Sequence, residues 1–382
     1  MHMSPSSARF RMQQVQRARL CCSALVFLLL GGADCAAQRQ SSPYTITTQP
    51  ATATRGPIVS VETQGPVGNR FQAFETADDT TFDFTRVHIA ASPNHPMQSP
   101  VRIGEQEQPP NGIRITGGVI DSGLPRDWGF DLAHAFGSVG FYTVARGLQA
   151  IEGAHIRSVE DGWQPRETPS YKLRAYPNTS HFLMKNCYMT DIRDDCIEND
   201  EFLPGVVEDS LFDGVHGFLS EQNERQAGLY RPKVATIGPD EDRNILLTRV
   251  LVRLTVTNGN GETGTGKWFK LRGVESPVHH LVITDCVFAT DAPPRQGGWG
   301  SQRFPEGVTF RGTNYVLWLG EPGVFATPLP RDVVFLEGQA AREKWQQVKN
   351  QWLEVHGQPS QADSDRKAME APAAASRRRP KL

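Results

Sequence analysis

Between residues 115 and 288 one six-residue arrangement recurs: an apolar residue, two polar residues or glycine, a small or modest residue, any residue, then a second apolar residue. The copies are Ile115/Gly118/Ile120, Ile151/Ala154/Ile156, Met184/Cys187/Met189, Val207/Ser210/Phe212, Leu247/Val250/Val252 and Ile283/Cys286/Phe288. Their starts lie 36, 33, 23, 40 and 36 residues apart. The shortest interval is the bare unit. The longer ones carry inserts rich in turn residues, at 221–242, 257–266 and 292–306.

A short strand at such intervals, with no helical period between copies, cannot bury its apolar face alone. Stacking the copies buries a continuous core. Side chains alternate across a strand, so one set lines the interior and the next the surface. The pattern predicts an all-β chain folded as a right-handed, single-stranded parallel β-helix, a solenoid. An antiparallel sandwich, whose strands return every 8–12 residues or so, fits the intervals poorly. Cys187 and Cys286 share their slot with Ala154 and Ser210, as stacked small core residues would. Residues 314–320 and 333–336 predict closing strands. A helix follows over 339–355, with Ala341, Trp345, Val348 and Trp352 on one face, suited to capping the last rung.

The N-terminal segment has a different character. Arg9, Arg11, Arg17 and Arg19 precede an apolar run at 20–30 that Gly31-Gly32-Ala33 closes. This is the layout of a secretory signal peptide, over 1–37 with cleavage after Ala37. The run is shorter than the roughly 20 residues needed to span a bilayer. A lipoprotein would be modified at Cys35, but Asp34 stands where a small residue is expected. A secreted or periplasmic location follows. Residues 38–68, rich in Thr, Ser, Gln and Pro, predict a flexible leader. Residues 69–357 predict the β-helix domain with its terminal helix, and 358–382 a disordered tail.

Composition narrows the partners. The 382 residues include 40 Lys+Arg and 42 Asp+Glu, so there is no basic footprint for nucleic acid. Only Cys187, Cys196 and Cys286 lie beyond the signal; they allow at most one disulfide and have no zinc-type spacing. The expected protein is a monomer with no transmembrane segment.

The densest acidic run is Arg193-Asp194-Asp195-Cys196-Ile197-Glu198-Asn199-Asp200, directly after the third repeat. Gly214-Val215-His216-Gly217 comes one bare rung later, which predicts Asp195 and His216 as vertical neighbours. Val159-Glu160-Asp161-Gly162-Trp163 follows the second repeat at a comparable offset and places Asp161 on the rung below. Adjacent strand residues face opposite ways, so Asp194 and Asp195 can act together only at a bend or bulge. In Lys267-Trp268-Phe269-Lys270-Leu271-Arg272, alternation puts Phe269 and Leu271 inside and Trp268, Lys270 and Arg272 outside. An exposed aromatic between cations suits stacking on a sugar ring and pairing with a carboxylate. Asp, Asn and Gly are also the ordinary turn residues of any solenoid. Asp127, Asp131 and His134 form a further polar group, too loosely spaced for a role.

The segments DDCIEND, VHGFLSE and KWFKLRG resemble the DD, GHG and RIK motifs of polygalacturonase-like glycoside hydrolases, pectin-lyase-like β-helices that cut polyuronides; VEDG stands where that family has NTD. The likeness spans about residues 110–290, and the C-terminal portion resembles uncharacterised secreted bacterial β-helix proteins. Val215 replaces a glycine before His216, and Phe-Lys-Leu replaces Arg-Ile-Lys. The resemblance implies inverting hydrolysis of an acidic polysaccharide without a cofactor. Asp194 would protonate the leaving oxygen, and Asp161 and Asp195 would activate water. His216 would tune the pair, Lys270 would hold the substrate carboxylate, and Trp268 and Arg272 would line the substrate. Two alternatives stand beside it. One is a lyase that uses Ca²⁺, for which the acidic run offers oxygen donors. The other is a non-catalytic glycan-binding or structural β-helix.

Overall fold

The computed structural model describes residues 42–167, 180–221, 244–256, 264–271, 280–294 and 302–357. The repeated apolar positions fall into two columns. Ile115, Ile151, Met184, Val207, Leu247 and Ile283 pair in register along one sheet. Ile120, Ile156, Met189, Phe212, Val252 and Phe288 do so along a second. All twelve are buried. Each copy alone exposes its apolar pair, and the copy stacked on it removes that surface from water.

Among the described residues the chain is mostly strand, in three long sheets of ten, nine and seven strands. Between the strands of these sheets the pairing is parallel except for Tyr44–Gln49 with Ile58–Thr63. From Asn111–Thr116 to Phe269–Leu271 the described strands fall in the first, second and third sheets in turn, as in His181–Lys185, Tyr188–Ile192 and Asp195–Glu198. This stacking is the solenoid-like order that the repeat predicts.

The turn between the first two sheets explains the polar-or-glycine pair inside the repeat. Gly117, Gly153, Asn186, Asp209, Arg249 and Asp285, one per coil, all have positive φ, between 46° and 72°. Glycine, Asn and Asp reach that region most readily. The small slot that follows is buried and hydrogen-bonds from coil to coil. Cys187 N donates to Ser210 Oγ at 3.1 Å, and Val250 N to Cys286 Sγ at 3.4 Å. Cys187, Cys196 and Cys286 are free and buried. Burial pushes the Cys187 and Cys286 thiols up to about 12, so they pack rather than react.

Two expectations about the ends need adjusting. Within 38–68, expected as a flexible leader, Tyr44–Gln49 and Ile58–Thr63 are strands that begin the ten-stranded sheet. Val59 and Val61 alternate inward there, and the Tyr44 ring meets Phe71 edge-on at 5.5 Å. A Thr/Ser-rich composition hid a strand period of two. The helix Gly338–His356 forms as predicted, but it lies along the outer face of the second sheet. Ala341, Trp345, Trp352 and Leu353 pack on Leu211, Leu251, Val287 and Leu317. Trp352 Nε1 reaches back to Asp209 O at 2.8 Å, and Lys349 pairs with Asp213. Replacing Trp352 with Ala is expected to lower unfolding free energy by about 2–3 kcal/mol in a urea titration. An unchanged midpoint would mean that the helix does not hold that face.

The expected signal peptide over 1–37, with Cys35, and the expected tail over 358–382 lie outside the described residues. No helix among the described residues is long and apolar enough to cross a membrane.

Candidate functional site

Three strands of the third sheet converge on one cluster of charge. Asp161–Arg166 and Asp195–Glu198 stack in register through Trp163 and Ile197, which sets Asp161 beside Asp195. Asp195 N donates to Asp161 Oδ1 at 3.1 Å. Arg193 and Asp194 form a bend before the strand begins, and this meets the condition that alternation imposes on neighbouring aspartates. Both carboxylates then reach one ammonium. Lys270, two strands further along the sheet, places Nζ 2.7 Å from Asp194 Oδ1 and 2.6 Å from Asp195 Oδ2.

Gly217 lies between them, opposite Asp195 in the pairing. A Cβ at Gly217 would stand 2.6 Å from Asp195 Oδ1 and 2.9 Å from Asp194 O, so only glycine fits against the carboxylate. His216 sits one residue earlier than expected in this register. Its N donates to Ile192 O at 2.9 Å, and Gly217 N donates to Asp194 O at 2.7 Å. His216 therefore acts electrostatically on Asp194, whose carboxyl its charge helps hold down.

One further side chain joins the cluster. His134, on the short helix Phe130–Phe136, puts Nδ1 2.7 Å from Glu160 Oε1 and 3.6 Å from Asp194 Oδ2. In sequence it sits among Asp127 and Asp131 with no rung to place it. Those two aspartates are exposed. Only the fold brings His134 across 60 residues to Asp194, and no spacing rule could have found it.

Trp268 differs from expectation. It is 1 % exposed, with its indole between Phe288 and Phe304 and Nε1 donating to Ala289 O at 3.3 Å. The strand is Phe269–Leu271 and Trp268 lies on the bend before it, so the alternation that correctly buries Phe269 and Leu271 does not extend to it. It offers no face to a sugar. Arg272 lies outside the described residues.

The carboxyls are unequal. For Asp194 burial works upward, but the His134 hydrogen bond and the Lys270 ammonium outweigh it and hold the group below the ordinary carboxylate range. Burial, then the Asp194 charge, pushes Asp195 up to about 7 against the pull of Lys270. Burial, and after it the neighbouring carboxylates, raises Asp161 and Glu198 well above their usual range. Glu160 is raised by burial despite His134. Asp195 Oδ1 is buried with no hydrogen-bond partner among the described residues, a setting that suits a protonated carboxyl better than an anion. The cations respond in kind: hydrogen bonds to Asp194 and then Glu160 lift His134 to about 10, and the Asp195 and Asp194 charges outweigh burial to raise Lys270. Like charges crowded together separate into ionised and protonated members, which is how one site carries an acid and a base together.

One atom from each of Asp161, Asp194 and Asp195 lies within 4.8 Å of the others, as does one from each of His134, Glu160 and Asp194. In both groups a protein cation already stands where the charge of an ion would be wanted, Lys270 in the first and His134 in the second. The chain matches no protein-family model, no curated protein and no solved structure.

Proposed function

We propose that the chain is an exported right-handed parallel β-helix of the pectin-lyase-like kind that hydrolyses an acidic, uronate-containing polysaccharide by acid–base catalysis. One observation carries this: Asp161, Asp194 and Asp195 meet on one sheet around Lys270, with their proton affinities driven apart. The resting site holds its proton on Asp195 and Asp161 and its charge on Asp194, the reverse of the roles that the family resemblance implies.

A uronate substrate acts on this balance. Its carboxylate competes for Lys270, the partner that draws Asp194 and Asp195 together. Freed from that ammonium, both carboxyls gain proton affinity, and Asp194, still held down by His134, remains the more acidic of the two. The protonated Asp195 then donates to the leaving oxygen, and the ionised Asp194 activates water. Parting from Lys270 also lets the carboxyls spread toward the roughly 6.5–9.5 Å that an inverting pair needs to admit that water. His216 and His134 stay beside Asp194 and tune the pair.

The test is a panel of acidic and neutral polysaccharides, with calcium and with chelator, following reducing ends and absorbance of the unsaturated uronate together. New reducing ends without absorbance, lost in Asp194→Asn and Asp195→Asn, are the expected result. Calcium-dependent absorbance would move the assignment to a lyase. Binding without release of ends, retained in both variants, would leave a glycan-binding β-helix.

A further inference from the structure

We propose that residues 124–137 form a roof over the carboxylate cluster, that Arg193 is the positioning residue that holds this roof in place, and that the roof delivers His134 and Phe130 to the site. The proposal extends the acid–base reading of the cluster, on which it rests.

The roof is an excursion between Val119–Asp121 of the second sheet and Val139–Val144 of the third. Its helix Phe130–Phe136 has seven residues, no side-chain cap at Gly129, and a left-handed Gly137 at its end. A helix that short does not stand by itself in water, so its place must be set from outside. At its far end Gln98 Nε2 donates to Phe136 O at 2.8 Å. At its near end Leu124 N donates to Ser158 O at 3.0 Å and Arg126 Nε reaches Asp191 Oδ2 at 3.1 Å, while the entrance to the helix is held by Arg193, whose side chain is completely buried. Arg193 gives one NH₂ group to Trp128 O at 2.8 Å and the other to Pro125 O at 3.3 Å. A guanidinium is a rigid planar fork of donors, so it can hold two carbonyls three residues apart at once; an ammonium cannot keep that geometry. Burying a cation is costly unless its donors are used, which makes this an anchor rather than a bystander.

The anchor sits next to the chemistry. Arg193 N donates to Val159 O and Glu160 O, and Asp194 follows it by a single peptide. The same short segment thus fixes both the roof and the carboxylate under it. On the underside Phe130 stacks flat on His134, rings 5.5 Å apart and 10° from parallel, and meets the His216 ring at 5.8 Å. His134 faces Glu160 and Asp194, with Asp131 on its own helix and Lys270, His216 and Asp161 around Asp194. A ring wedge of this kind fixes the distance from His134 to Asp194, and so the balance of charge in the cluster.

The experiment follows the His134 ring by NMR through a pH titration in the full protein, the Arg193→Lys variant and the Arg193→Gln variant, with circular dichroism to confirm that the sheets persist. In the unaltered protein the ring should stay protonated until about pH 10. In the Arg193 variants it should titrate near the ordinary histidine value of about 6.5, a drop of roughly three units. Folded variants with an unchanged His134 titration would overturn the proposal. Should both variants fail to fold, hydrogen exchange on His134→Gln decides. The amides of residues 128–136 should keep their protection, because Arg193 and not His134 holds them; loss of that protection would sink the idea. Neither readout needs turnover, so a protein inactive on every polysaccharide would remove the proposed reaction and leave this test standing.

Discussion

Asp195→Asn should lower turnover of a uronate polymer by about 10²–10⁴-fold, the usual worth of a positioned proton donor or acceptor, and should stabilise the protein at alkaline pH. The second half follows from linkage. The folded Asp195 carboxyl is lifted to about 7, by burial first and the Asp194 charge next, while an unfolded aspartate ionises near 3.9. Below about pH 4 both states hold the proton and the carboxyl has no effect on the balance. Between about pH 4 and 7 the unfolded chain releases its proton while the folded chain keeps it, so stability falls as pH rises through that window. Above 7 the folded protein carries a buried anion. Asparagine imitates the protonated carboxyl at every pH and keeps the Lys270–Asp194 pair. Melting curves at pH 4 and pH 8 should therefore coincide with the unaltered protein at the first and exceed it at the second. Full activity in the variant would remove Asp195 from the mechanism. A lower melting point at pH 8 would mean that its charge, not its proton, holds the site together.

The fold was legible because a solenoid writes its period into the chain. Ile115 and Ile120, then Ile151 and Ile156, recur at a spacing set by one circuit of three sheets, and the left-handed turn between them admits only a few residue types. The carboxylates were legible for the same reason: Asp161 and Asp195 occupy equivalent points of successive coils, and stacking makes equivalent points neighbours. Register shifted the picture by one residue at His216, because Asp195 pairs with Gly217. What sequence could not place was whatever departs from the circuit. His134 and Arg193 meet the site through the excursion at 124–137, whose path no period governs. Tyr44–Gln49 and Ile58–Thr63 were hidden because a strand on the rim of a sheet needs only half its side chains apolar, and their polar half dominates the composition.

Trp268→Ala should cost about 3–5 kcal/mol of stability, while Trp268→Phe should cost far less; neither should abolish recognition of the polymer in protein that remains folded. The indole fills the interior among Phe288 and Phe304, with Phe269 beside them, and its N–H is satisfied by Ala289 O. Removing it empties the largest side chain of that layer, and the close-packed rings around it, with Phe269–Leu271 held in register by Gly217–Glu221, close only part of the gap. Phenylalanine restores most of the volume and loses one hydrogen bond. A sugar platform would behave in the opposite way, tolerating the stability change and losing affinity. Denaturant unfolding and binding to an uncleaved uronate oligomer, measured side by side on both variants, separate the two. Loss of affinity without loss of stability in Trp268→Ala would put the ring back at the surface. The expected result, the reverse, makes the recognising surface a matter of Lys270 and the charges around it, since that ammonium is the one member of the KWFKLRG segment, among its described residues, that reaches the carboxylates.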